Sequence, residues 1–412
     1  MANMSRTDAL PFLEEMYVNS GLLKDLVFRN RPLLSILQKS HMLPAGGKYV
    51  HVPITYAIAQ GRSAGFTNAQ TNYKASQGKS FDVTYRNNYQ IGAIDGDVIT
   101  DAQGNTTLFT DALSREMDMV TENLTNDVSY ELFGNNGGAR GKMTAGSNPG
   151  TPTITLTNPE DTINFEVGQV LQTSTTDGTT GVVKTGTVTL SAIDRVGGTL
   201  TATGNWTAGI ATAAASDFIF ADGDFGNKMA GLGAWDPATA PGATTFFGVD
   251  RTADTRLGGL RYTTGTGSID QILIQAAAFG ARFGAKFDLG VLNPVKFGDL
   301  TTALETQSRR IRRTTVMGSG DAANFGFEAL VLDTDRGSVP IISDPSCPVA
   351  DCRLLNTDGI KLGYSGSSLI HIITDDGNET LRQTSQDGVE FRVKSRGNML
   401  VYNPGHQLYV GV

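Results

Sequence analysis

The sequence predicts an α+β protein that carries an inserted all-β module. Three observations lead to that class. From Leu108 the apolar residues Phe109, Leu113, Met117, Val120, Leu124, Val128 and Leu132 recur in steps of three or four. That is helical period, held for about seven turns. Elsewhere short runs alternate: Val50, Val52, Ile54, Tyr56 and Ile58 stand at every second position, which is strand period. Between 144 and 221 the composition shifts, with 19 threonines in 78 residues and only Lys184 and Arg195 as basic residues.

At 412 residues the chain is too long for one ordinary core, and two or three domains are expected. There are 33 basic and 41 acidic residues, net −8, with a pI near 5.1. That balance lacks the bulk signature of a nucleic-acid binder. No run approaches the roughly 20 apolar residues of a membrane span. The first residues, MANMSRTDALPFLEE, hold no apolar stretch of a secretory signal. Glycine is abundant (49) and charged residues are sparse (18%), which suggests much strand and loop, and surfaces that meet protein.

In chain order, residues 8–39 show broken helical pattern, interrupted at Asn19, Gly21 and Pro32. Short helices on an extended arm are expected. The strand run from Val50 is followed by a second one, Phe81, Val83, Tyr85, then Tyr89 and Ile91. Residues 59–80 between them are polar in character and without period. So long a loop is uncommon in a compact domain and tends to be functional. The pair reads as a projecting hairpin. A lone hairpin is only marginally stable, so this one should rest on something outside its own chain.

The long helix, expected from about 106 to 133, leads to ELFGNNGGARGKM. This stretch looks like a phosphate loop. A Walker loop needs a glycine six residues before its lysine, a hydroxyl residue after it and a strand leading in. Asn136 stands six before Lys142, Met143 follows, and a helix leads in. A helix stop at Gly134 with a loose exit is the reading instead. In 144–221, TPTITLT, FEVGQVLQT, GTVTLSAI, GTLTAT and DFIFAD alternate between turn signals, which reads as a small β module.

After a glycine-rich linker, SIDQ predicts a helix with a capping box of Ser268 and Gln271, its apolar face holding Ile269, Ile272, Leu273, Ala276 and Phe283. NPVKFGDL predicts another, with Asn293 as cap and Pro294 in the first turn. FEALVLDT, VPIISD, VEFRV, MLVYN and LYVGV read as closing strands.

Candidate chemistry is thin. Cys347 and Cys352 have no neighbouring histidine in sequence and read as reduced and buried, with a local disulfide as the alternative. His41, His51, His371 and His406 are scattered. Asp95, Asp97 and Asp101 form the best acidic cluster, but they precede a helix start, where acids favour the dipole. No mechanism for an enzyme emerges, and no cofactor or metal is expected.

Taken in order, these segments resemble the major capsid proteins of tailed bacteriophages, which share the Hong Kong 97 coat fold. GGKYVHVPI leads into a long two-stranded extension, the family's E-loop. TYRNNYQIGAIDGDVITDAQ leads into the spine helix. VLNPVKFGDLTTAL resembles the start of the axial domain. RGSVPIISDPSCPVADCRLLNTDGIKLG resembles the strands returning to the peripheral domain, and GNMLVYNPGHQLYVGV the closing strand. The resemblance covers most of the chain outside 144–221. It implies an N-terminal arm (1–46), an extended hairpin (47–94, tip 59–80), a spine helix with part of the peripheral domain (95–143), an inserted β-rich domain (144–221), and an axial domain with the return (222–412).

What it implies functionally is a coat subunit, assembled in the host cytoplasm as pentamers and hexamers into the icosahedral shell of a virion. The alternative is an encapsulin-like compartment shell of the same fold. Expected partners are further copies of the chain, a separate scaffolding protein, the portal, a decoration or cement protein, and weakly contacted double-stranded DNA. Contacts between subunits are expected at Arg62, Phe66, Tyr73, Lys74 and Lys79. Some family members join an extension lysine covalently to an asparagine, and Lys74 and Lys79 lie in the matching segment. For Arg309, Arg310, Arg312 and Arg313, an exposed or intersubunit salt-bridging face stands beside contact with DNA phosphates.

Overall fold

The computed structural model describes residues 31–42, 48–97, 106–306, 313–317, 326–374, 377–378, 380–384 and 387–412. The described chain falls into two units. One comprises 87–128 and 365–397, the other 31–86, 129–364 and 398–412.

The organising element of the first unit is the strand Gly388–Val401, of which residues 388–397 belong to that unit. Ile370–Ile372 and Leu381–Arg382 pair with it antiparallel, and Arg86–Asp95 joins it as well. Phe391 and Val393 on this strand meet Met117, Val120 and Leu124 of the long helix. The helix spans Thr106–Glu131, about 39 Å at 1.5 Å per residue. Gly92 lies directly under Phe391, where a Cβ would fall 2.2 Å from the ring. VEFRV and MLVYN, read as separate strands, are one continuous strand. The polar stretch Ser395–Arg396–Gly397–Asn398 hides that continuity in the sequence.

In the second unit a seven-stranded mixed sheet runs in the order Leu260–Tyr262, Leu408–Gly411, Asp351–Leu355, Leu289–Leu292, Gly337–Ser343, Gly326–Thr334, Arg313–Met317. Helices Ile269–Arg282 and Pro294–Thr306 share its core through Leu273, Ala276, Leu300, Leu304, Ile341 and Leu354. The second helix starts as expected: Asn293 Oδ1 accepts from the Val295 amide at 3.0 Å. The first also starts at Ser268, but the capping box does not form. The Ser268 hydroxyl donates to Asp270 instead. Phe283, expected on the apolar face, follows the last helical residue and is 41% exposed. Cys347 and Cys352 are free and buried, as expected.

Residues 141–221 form a six-stranded sheet in the order Gly141–Lys142, Phe218–Ala221, Val170–Ser174, Val188–Asp194, Thr199–Ala202, Thr153–Thr155. The two ends of this order also meet. Met143 bridges Leu156, the Thr144 amide donates to Thr155 O at 3.0 Å, and the Thr157 amide to Lys142 O at 2.8 Å. The sheet is therefore a closed barrel, and closure removes the unpaired edges that a small sheet exposes. Met143, Phe165, Leu171, Leu190, Leu200, Trp206 and Ile219 belong to its core.

The exit from the long helix is not loose. Leu232 and Gly233 amides donate to Leu132 and Phe133 carbonyls at 2.7 and 3.2 Å. A Cβ on Gly137 would sit 2.0 Å from Asp177 O, and Asn136 takes a left-handed φ of 75°. The glycines that suggested slack are there because another segment packs against them.

Candidate assembly surface

The expected hairpin is present, and its strands are Val50–Ala57 and Gln77–Val83. They pair antiparallel from Val50↔Val83 to Ala57↔Gln77, with an irregularity between Thr55 and Ala57. The second strand ends sooner than its alternation suggested. Tyr89 and Ile91 belong to the next strand, Arg86–Asp95, which joins a different sheet. The tip is also more ordered than an aperiodic loop: it holds a helical turn and a half, Phe66–Thr71, and Gln60 and Lys74 exchange backbone hydrogen bonds at 2.8 and 3.0 Å.

The root of the hairpin is built into its own chain, contrary to the expectation that support comes only from outside. Val50, Val52, Phe81 and Val83 are buried. Phe81 meets Trp235 edge-on at 5.1 Å, and Trp235 meets Phe246 at 5.1 Å. Arg251 lies over Phe246 at 4.2 Å, and the Asp82 amide donates to Phe247 O at 3.0 Å. Such ring pairs contribute about 0.5–1.5 kcal/mol each beyond their buried area.

Behind this cluster three guanidiniums grip one short segment. Arg251 donates to Ala234 O at 2.7 Å, Arg353 to Asp236 O, and Arg261 to Pro237 O at 3.2 Å. Arg353 is fully buried and also pairs with Asp351 at 2.9 Å. Its approach to the Asp236 carboxylate, 3.6 Å, is too long for a hydrogen bond. Among the described residues neither carboxylate oxygen of Asp236 finds a hydrogen-bond partner. Burial therefore outweighs the nearby arginines and pushes the Asp236 carboxyl up to about 7. Asp344, which accepts from the Leu33 amide at 3.0 Å and the Ser346 amide at 2.9 Å, is raised to about 6 for the same reason.

Beyond the root the environment changes. No residue from 53 to 80 is buried. Ile58 is 77% exposed, Phe66 78% and Tyr73 68%. Arg62 and Lys74 are exposed beside them at the tip, and Lys79 is exposed on the returning strand opposite Ile54. Residues 53–80 contain three basic groups and no acidic one, whereas the rest of the chain holds 30 basic and 41 acidic residues. Ile58 was missed as a surface residue, because strand alternation placed it on the inner face. The one-sided charge was readable from the sequence alone.

The second candidate group is not brought into view in the same way. Arg309, Arg310 and Arg312 lie outside the described residues. Arg313 begins the strand Arg313–Met317 and pairs with Leu330. The acidic trio is likewise incomplete, since Asp101 lies outside the described residues. Lys142 of the glycine-rich stretch sits 4.8 Å over the Phe218 ring, within the barrel sheet.

No protein-family profile matches the chain, and no curated protein matches it. Solved structures do. A chain in the cyanophage A-1(L) capsid asymmetric unit aligns with a TM-score of 0.53 and 11% identity, covering 94% of this chain and 96% of that one. The SrpI encapsulin of Synechococcus elongatus aligns at 0.45 and 9%, over 97% and 94%. The capsid of Myoviridae phage XM1 aligns at 0.44 and 9%, over 95% and 95%. The cyanophage alignment extends over nearly the whole of both chains, and the fold is shared: the chain has the Hong Kong 97-like α+β capsid architecture, with a closed β-barrel inserted after its long helix.

Proposed function

We propose that this chain is the major coat subunit of a tailed phage, assembling as pentamers and hexamers into the icosahedral shell around double-stranded DNA. The observation that carries the proposal is the extension. Its 28 residues from 53 to 80 hold their shape without burying a single side chain. Ordering a backbone costs about 1–2 kcal/mol per residue, so contacts beyond its own chain must offset that cost. Exposed Ile58, Phe66 and Tyr73 supply apolar anchors, and the uniformly basic charge suits an acidic surface. The remainder of a second copy is such a surface. A long arm also reaches the 2,000–5,000 Å² typical of obligate assemblies without a bulky domain.

On this reading Arg62, Phe66, Tyr73, Lys74 and Lys79 lie at the contact between subunits. The chain acts in the virion and has no catalytic role. A separate scaffolding protein, the portal and a decoration protein are its partners, and packaged DNA meets it weakly.

Electron microscopy of particles purified from cells that make the chain with its genomic neighbours tests the proposal. Closed icosahedral shells containing double-stranded DNA are expected. Shells filled with an enzyme cargo would favour the encapsulin-like alternative, and discrete small oligomers would overturn both.

A further inference from the structure

Two chain segments connect the barrel to the rest of its unit, one running in after Glu131 and one running out after Ala221. Their backbones meet where the Leu232 and Gly233 amides donate to Leu132 and Phe133 carbonyls, where Asn135 bridges Ala230, and where the Gly226 amide donates to Gly137 O at 2.9 Å. A two-stranded ribbon of this kind bends and twists easily when nothing braces it.

Here it is braced by a relay of buried charges. Glu131, in the last turn of the long helix, lies 3.1 Å from Lys228 Nζ. Lys228 also lies 3.1 Å from Asp224, and Asp224 is 3.1 Å from Arg140 Nη2. Arg140 in turn donates to Asn164 O at 3.2 Å, and the Asn164 side chain donates back to Arg140 O at 3.1 Å. The Met229 amide donates to the other Glu131 oxygen at 3.2 Å. These four charged side chains are between 5% and 19% exposed. The relay thus runs from helix to outgoing segment, across to the incoming segment, and into the barrel. A loop of the barrel adds a second brace. Asn135 donates to Asp177 Oδ2 at 2.7 Å, and Gly178 approaches so closely that a Cβ would stand 2.1 Å from Gly137 O.

We propose that Glu131, Lys228, Asp224 and Arg140 form a lock that holds the barrel in one fixed orientation on the body of its unit. Without the lock the two connecting segments act as a hinge. Two charges of each sign balance within the relay, so no member is left uncompensated where water is scarce. Removing one member leaves a buried charge without its partner, and the cheapest relief is for the joint to open to solvent. The lock is a property of the single subunit and does not depend on whether the subunit builds shells.

The test measures orientation directly. Spin labels go on Val196→Cys, at a barrel turn where the side chain is 95% exposed, and on Val295→Cys, on the helix Pro294–Thr306 and 48% exposed. The native cysteines are buried and will not compete. Pulsed electron resonance on the full chain should give one narrow distance distribution. In Lys228→Met that distribution should become broad or split, while hydrogen exchange at the barrel amides reports an intact barrel. If Lys228→Met does not fold, the milder Glu131→Gln should broaden the same distribution. An unchanged narrow distribution in a folded variant would overturn the lock. A distribution already broad in the unmodified chain would do so as well.

Discussion

The extension and the barrel are both β-structures of the same unit, and they solve the problem of stability in opposite ways. The barrel closes on itself and buries Trp206, Phe165, Met143 and Ile154 completely. The extension buries nothing beyond Val52 and Phe81 at its root. The barrel is satisfied within one chain. On the proposed function the extension is a half-made interface, complete only when a second copy covers it. What separates them is closure: a sheet whose first and last strands meet has no edge left to offer.

This contrast is easiest to break at the barrel's centre. Trp206→Ala removes a fully buried ring that also donates to Pro152 O at 2.9 Å. It should cost about 3–5 kcal/mol in chemical denaturation. Loss below 1 kcal/mol would show that the barrel core is not the source of its stability.

The root of the extension sharpens the comparison, since it is as built as the barrel but relies on buried charge. Burial raises the Asp236 carboxyl to about 7. The folded state then holds this proton between about pH 4 and pH 7, while the unfolded chain releases it near 4. Stability from this group is therefore greatest in acid and is lost as pH rises through 7. Asp344 shares the sign, with its window ending near 6. Asp236→Asn has no proton to release, so in urea melts the parent should lose about 1–3 kcal/mol relative to the variant on going from pH 5 to pH 8. Parallel pH profiles would mean that the carboxyl titrates normally in the folded state.

The smallest effect on folding is expected at the tip. Phe66→Ala with Tyr73→Ala removes two exposed rings. Subunit stability should change by no more than about 0.5 kcal/mol, while particle yield falls sharply. A drop in subunit stability would place those rings against their own chain.

Much of this architecture was legible because periodicity is a local signal. The long helix, the hairpin strands, the Asn293–Pro294 helix start and the pieces of the barrel each announce themselves within ten or twenty residues. Strands Leu289–Leu292 and Ile360–Tyr364 did not stand out, being short runs with little or no polar alternation. Barrel closure could not be read either, since it rests on one isolated bridge, Met143 to Leu156, outside any regular strand pairing. The tight helix exit depends on Asp177 and Gly178 arriving from the barrel, and no pattern near Gly137 predicts them. The Asp236 site was invisible for the same reason, with Arg353 more than a hundred positions away. The contact residues proposed at the tip were legible by type, as aromatic and basic groups in a long polar loop.

The central claim is that the extension serves assembly rather than the fold of its own subunit. Deleting residues 61–78 and closing the strands with Asn-Gly, a pair suited to a tight hairpin turn, tests it most directly. Sedimentation and electron microscopy should find a soluble, folded subunit whose barrel and root are intact, and no closed shells, or shells that break at lower temperature. Shells of normal yield and heat resistance from the shortened chain would contradict the account.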